Sequence, residues 1–146
     1  VESKTMTDEK TLTGQCLCGA VEISGQANTL DVAICHCDMC RRWSSGPYME
    51  VTCENVAFKG DENIGRVRSS EWAERGFCKQ CGSSLFYHIV GSSDYQISAG
   101  LLDDQSKLRM KLQVFTDSKP SFYTFENNTK MMTGEEVITA YTPSSS

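Results

Sequence analysis

The chain has few of the residues from which most enzyme sites are recognised. It holds only two histidines in 146 residues. It shows no Ser-His-Asp arrangement, no glycine-rich phosphate loop and no pair of acids spaced for joint acid–base work, which sets aside triad hydrolases, P-loop nucleotide enzymes and two-carboxylate glycosidases. Positive charge is also short, with 14 Lys and Arg against 19 Asp and Glu and a formal net charge of −5. A nucleic-acid partner needs a basic face, so none is expected. No run of apolar residues is long enough to cross a membrane, and Val1 to Lys10 lacks the apolar core of a secretory signal. The expectation is therefore a cytoplasmic protein in which thiols stay reduced.

Helical patterning is scarce too: there is no amphipathic stretch longer than two turns and no internal repeat. Short alternating segments take its place, bounded by Gly, Asp and Ser. Ala20 to Ser24, Tyr48 to Cys53, Val56 to Lys59, Leu85 to Val90 and Tyr95 to Ala99 read as strands. Val32 and Ile34 lead into a strand end. Leu108, Met110, Leu112 and Val114 alternate most cleanly of all. Asp38 to Ser44 predicts a single helical turn, and Arg66 to Ser69 another short strand. This is a mainly β domain built from antiparallel sheets with little helix, spanning residues 13–140, with a flexible arm at 1–12 and a disordered tail at 141–146.

What the chain does have is cysteine, eight in all. Cys35, Cys37 and Cys40 fall within six residues, and two outlying pairs flank them, Cys16 with Cys18 and Cys78 with Cys81. Cys78-x-x-Cys81-Gly82 is a metal knuckle, because the glycine lets backbone amides approach the sulfurs. Spacing alone does not say which pair joins which. Joining the two outer pairs makes a four-thiol site and leaves three thiols for a second, with none of the seven stranded. Structural zinc takes four protein ligands, whereas catalytic zinc takes three and leaves a position open. A thiol arriving at such an open ion loses its proton, and a thiolate held beside a carbonyl is arranged to add to an aldehyde.

The neighbouring residues bear on this division. Cys53 could close the inner site, but its alternation with Met49 and Val51 makes it a buried core thiol. In an extended Cys-x-Cys the middle side chain points away from both sulfurs, so His36 reads as a polar residue near the site mouth. His88 reads as structural. Asp38 could orient a bound group, and Arg41 and Arg42 could hold a substrate carboxylate or simply form a solvated turn.

Three motifs in order, Gly14-x-Cys16-x-Cys18-Gly19, Cys35-His36-Cys37-x-x-Cys40-Arg41 and Arg75-Gly76-Phe77-Cys78-x-x-Cys81-Gly82-Ser83-x-Leu85, resemble the glutathione-dependent formaldehyde-activating enzyme family. The resemblance runs from about Thr13 to Tyr123 and includes Lys119-Pro120-x-x-Tyr123. It implies the zinc-stapled β-tent fold, shared with methionine sulfoxide reductase B and with small zinc proteins that bind Rab GTPases. It implies two zinc ions, a structural one on Cys16, Cys18, Cys78 and Cys81 and a catalytic one on Cys35, Cys37 and Cys40. It further implies a carbon–sulfur lyase whose partners are glutathione, or a similar small thiol, and formaldehyde or another small aldehyde. Self-association is left open. The competing reading is a non-catalytic zinc-binding module for protein docking, which would require a second site closed by Cys53 or His36 and an exposed apolar patch.

Overall fold

The structure is a computed structural model that describes residues 10–141. The expected arm over 1–9 and tail over 142–146 lie outside the described residues. Ten strands form one mixed sheet: β1 (Thr11–Gln15), β2 (Glu22–Ala27), β3 (Asp31–Cys35), β4 (Tyr48–Lys59), β5 (Ile64–Arg68), β6 (Ala73–Cys78), β7 (Ser84–Ile89), β8 (Tyr95–Ser98), β9 (Arg109–Val114) and β10 (Lys130–Met132). Two short helices complete it, α1 (Asp38–Ser44) and α2 (Gly134–Tyr141). The mainly β expectation holds. Thr11 and Leu12 belong to β1, paired with Gln26 and Gly25, and are not part of an arm. The sheet is not purely antiparallel either, since β9 runs parallel to both β3 and β10. Period-two alternation places a strand without giving its direction, so this could not be read in advance.

The long strand β4 organises the sheet. Its first residues pair with β3, its last with β2, and its middle with β8 on the opposite edge. The alternation suggested two strands broken near Glu54 and Asn55. Instead the chain bulges there: Asn55 takes a left-handed φ of 53°, the register with β2 shifts, and Asn55 Nδ2 donates to Gln26 Oε1 at 2.8 Å. Asparagine tolerates this conformation, and a bulge bends a strand without ending it.

Cross-strand register divides the sheet into two unlike faces, because directly opposed residues share a side. One face carries Val32, Ile34, Val51, Cys53, Phe86 and Ile97 into the apolar core, where Val21, Ile23 and Leu102 join them. The other face can be followed from β3 to β6. Cys35 opposes Tyr48. Glu50, two residues on, opposes Ser98. Gln96 opposes Tyr87, which opposes Arg75. Helix α1 follows directly on β3, and its Cys40 and Trp43 pack with Cys35, Tyr48 and Tyr87 on this second face.

Candidate functional site

The Sγ atoms of Cys16, Cys18, Cys78 and Cys81 all lie within 4.8 Å of one another. Each pair is presented by a tight turn. Gly19 N donates to Cys16 O at 3.1 Å, and Gly82 N donates to Cys78 O at 2.8 Å. Both glycines take left-handed φ, 82° and 80°. Backbone amides point at sulfur as the knuckle spacing predicts: Val21 N lies 3.4 Å from Cys16 Sγ and Gln80 N lies 3.3 Å from Cys78 Sγ. The hydroxyl and amide of Ser83 hold the Cys81 thiol down to about 5. Sulfur separations of 3.7 Å (Cys16–Cys18) and 3.8 Å (Cys18–Cys78) are far too long for disulfides. They match the edge of a tetrahedron of sulfurs about 2.3 Å from a central ion, which is about 3.8 Å.

Cys35, Cys37 and Cys40 form a second group on the same 4.8 Å criterion. Their spacing works because the chain changes structure between them. Cys35 ends β3, Cys37 caps α1, and Cys40 sits in the first helical turn, where its amide donates to Cys37 Sγ at 3.4 Å. Cys35 and Cys40 are buried and Cys37 is half-buried. The three share protons: hydrogen bonds from Cys35 and then Cys40 hold Cys37 down to about 2, while the Cys37 and Cys40 sulfurs push Cys35 far up. A cation bound among the three sulfurs would displace the shared protons, and the three Sγ atoms lie close enough to hold one.

Neither proposed fourth ligand is near. Cys53 lies in the apolar core on the other face, where burial pushes its thiol up to about 11. It belongs to neither thiol group, so the closure by Cys53 that the docking-module reading needed does not occur. His36 does point away from the sulfurs, but it is not at a mouth. It is fully buried, with Nδ1 2.8 Å from Tyr123 Oη and Nε2 2.8 Å from Gln113 Oε1. Burial holds its pKa down. His88 is structural, bonded to Glu74 at 3.0 Å and Ser92 O at 2.8 Å and stacked on Tyr95. Asp38 serves α1, pairing with Arg42 at 3.0 Å. Arg41 Nε donates to His36 O at 2.9 Å, tying the helix to the strand end.

Four site residues escaped the sequence reading of the site: Trp43, Tyr48, Glu50 and Tyr87. In the sequence Arg75 is marked only by its place in the Arg75-Gly76-Phe77-Cys78 motif. Arg75 Nη1 donates to Cys40 Sγ at 3.5 Å, and its guanidinium lies between the rings of Trp43 (5.0 Å) and Tyr87 (4.8 Å). Tyr48 Oη donates to Gln96 O at 2.8 Å and sits 3.0 Å from Ser98 Oγ. Glu50 is half-buried beside this wall, and burial pushes its carboxyl up to about 8, with Arg75 pulling it down and Cys37 pushing it up. An open cleft of about 770 Å³ runs alongside, lined by Arg42, Trp43, Pro47, Tyr48, Ser84 and Ser98. No helix among the described residues is long and apolar enough to cross a membrane.

Comparison with known proteins bears on the fold and the family. The chain resembles a crystal structure of a Rhodobacter sphaeroides protein at a TM-score of 0.56 and 23% identity, covering 69% of this chain and 98% of that one, a likeness of fold. It is 37% identical over 127 residues to an uncharacterized lyase of Schizosaccharomyces pombe, covering 86% of this chain and 93% of that protein. The family model of the glutathione-dependent formaldehyde-activating enzyme matches residues 11–118, a span that begins with β1 and takes in all seven clustered thiols. A match of that extent, joined to a curated relative of nearly equal length that is itself called a lyase, makes this chain a member of the glutathione-dependent formaldehyde-activating enzyme family and an enzyme of lyase type.

Proposed function

We propose that this enzyme joins a small thiol of the glutathione kind to a small aldehyde such as formaldehyde, the reverse of a carbon–sulfur lyase reaction. In this reading Cys16, Cys18, Cys78 and Cys81 hold a structural zinc, and Cys35, Cys37 and Cys40 hold a catalytic one. The donor sets fit: both are all sulfur, and the separations of 3.7 and 3.8 Å in the first suit tetrahedral coordination. Zinc at the three-thiol site would supply Lewis acidity and lower the pKa of a thiol that reached it.

The observation that carries the reading is the three-sulfur group itself. Among the described residues it gathers no fourth Cys, His, Asp or Glu, and it shares Trp43 and Tyr48 with a cleft large enough for a peptide-sized thiol. The cleft would hold the body of the thiol. Trp43, Tyr48 and Tyr87 would keep water from the reacting atoms and so strengthen every charge there. Arg75, in contact with Cys40, offsets the negative charge of the sulfurs.

Cys40→Ser should reduce bound zinc from two ions per chain to one, leave the fold intact and abolish thiol-dependent aldehyde consumption. Metal analysis, circular dichroism and an aldehyde assay with and without glutathione read the three effects. Undiminished consumption in the variant would sink the proposal.

A further inference from the structure

Two polar groups on the site face have unused bonding capacity. Arg75 is only 5% exposed. Its Nη1 is committed to Cys40 Sγ, yet its Nε is buried with no acceptor. None of the ion pairs among the described residues includes Arg75, and buried guanidinium groups normally have a carboxylate partner. Glu50 is the second group. Register places it on the same face, two residues beyond Tyr48 and opposite Ser98, with Arg75 reached through Gln96 and Tyr87. Among the described residues its carboxyl has no hydrogen-bond or ion-pair partner. A cation with a spare donor in contact with Cys40, and an acid without a hydrogen bond on the same face of the sheet, are the two groups that a developing alkoxide requires.

We propose that Arg75 and Glu50 form the carbonyl-oxygen end of the thiol-addition site, Arg75 holding the oxygen as it becomes negative and Glu50 giving it a proton. This rests on the thiol–aldehyde reading above. The thiolate sulfur donates its lone pair to the carbonyl carbon, forming the C–S bond. The π pair of the C=O bond moves to oxygen, and the Glu50 proton passes to that oxygen to complete the hydroxyl. The Glu50 carboxylate regains a proton from the next thiol as it ionises, so one thiol and one aldehyde give one hemithioacetal with nothing left over. In the lyase direction the same carboxylate takes the hydroxyl proton.

The surroundings of Glu50 suit a proton donor. The charged groups acting on it are Arg75 from β6 and Cys37 from the head of α1, and they oppose one another. Tyr48 on its own strand and Tyr87 on β7 are held neutral, each primarily by burial. Burial is the largest of these influences and holds the carboxyl above the usual carboxylate range, the direction a proton donor needs. Arg75 meets Cys40 through Nη1, which leaves its Nε without an acceptor.

The test uses metal-loaded protein with Glu50→Gln, Glu50→Asp and Arg75→Lys. Zinc content and glutathione binding by calorimetry should stay at wild-type values in the two Glu50 variants. Glu50→Gln should lower kcat by about a hundredfold with little change in the aldehyde KM, and Glu50→Asp should recover part of it. Arg75→Lys should raise the aldehyde KM as well as lower kcat. Formate serves as a probe of the anion position and needs no turnover. In a Trp72→Phe background the fluorescence of Trp43, which lies against Arg75, should respond saturably to formate, and Arg75→Lys should abolish the response. A kcat for Glu50→Gln within about twofold of wild type, or a loss that tracks lost zinc or thiol binding, overturns the role of Glu50. Formate binding unaffected by Arg75→Lys overturns that of Arg75. An inert wild-type protein would instead overturn the thiol–aldehyde reading, with the formate titration still deciding on Arg75.

Discussion

Glu50 is a single residue whose placement works against folding. Its carboxyl rises to about 8 in the native state, chiefly through burial. The unfolded chain releases that proton near the ordinary carboxylate value, so between the two values the folded state binds more protons than the unfolded one. Stability then falls as pH rises through that window. Replacing Glu50 by Gln removes the effect. Thermal melts should show Glu50→Gln and wild type close together near pH 5, with the variant increasingly the more stable up to about pH 8. A gap that stayed constant, or opened in the opposite sense, would show that Glu50 is not held neutral. Such a penalty is expected where activity and stability compete. His36 shows the opposite arrangement at the same scale: a buried polar residue with both ring nitrogens matched, by Tyr123 and Gln113, so that it fastens the loop after β9 beneath the strand end. The sequence showed that it would face away from the sulfurs. It did not show these partners, because Gln113 lies 77 positions along the chain and Tyr123 87.

Elements became legible where a local pattern sufficed and stayed hidden where distant pairing decided. The strand leading into Cys35 and the alternation around Met110 emerged close to where they were expected. Helix α1 grew beyond one turn to seven residues, with Asp38 at its start and Arg41 and Arg42 at its end in the sense that suits the helix dipole. Helix α2 was missed although its signal is local: Thr133 and Glu136 form a reciprocal capping box, with bonds of 2.8 and 3.2 Å. The motif Arg75-Gly76 could be recognised without its reason being known. On β6 the two residues face opposite sides, so Arg75 meets Cys40 while Gly76 lies against the ring of Phe86 in the core. A Cβ at Gly76 would come within 2.3 Å of that ring, which is fully buried and cannot swing aside. Gly76→Ala should therefore destabilise the protein by about 1–3 kcal/mol, the usual range for overpacking, while the three-thiol group on the opposite face keeps the metal proposed for it. Urea unfolding beside zinc analysis would check both halves. Wild-type stability in the variant would mean that Phe86 yields more readily than its packing indicates.

Across the whole molecule, the two thiol groups stand in different relations to the fold. The four-thiol group joins the end of β1 to the β6–β7 turn, bringing Cys18 to within 3.8 Å of Cys78 across 60 positions of chain. The three-thiol group spans only the end of β3 and the first turn of α1, so it ties down almost nothing distant. Spacing alone does not pair the cysteines, but once the two outer pairs are joined that contrast could be read from the sequence. The wall of Tyr48, Glu50, Tyr87 and Arg75 could not, since it exists only when β4, β8, β7 and β6 lie side by side in one register. The contrast sets the order in which metal should be lost. Closing a 60-residue loop is entropically expensive, and a metal that spans it contributes directly to folding. Under the proposed loading of one zinc in each group, a chelator should therefore act in two stages. The first zinc, from Cys35, Cys37 and Cys40, should leave quickly with far-ultraviolet dichroism unchanged, because a three-coordinate ion is open to an incoming ligand. The second, from Cys16, Cys18, Cys78 and Cys81, should leave slowly and take the β signal with it. Unfolding that accompanied the first ion, or a β signal that survived removal of both, would show that the four-thiol group does not staple the sheet.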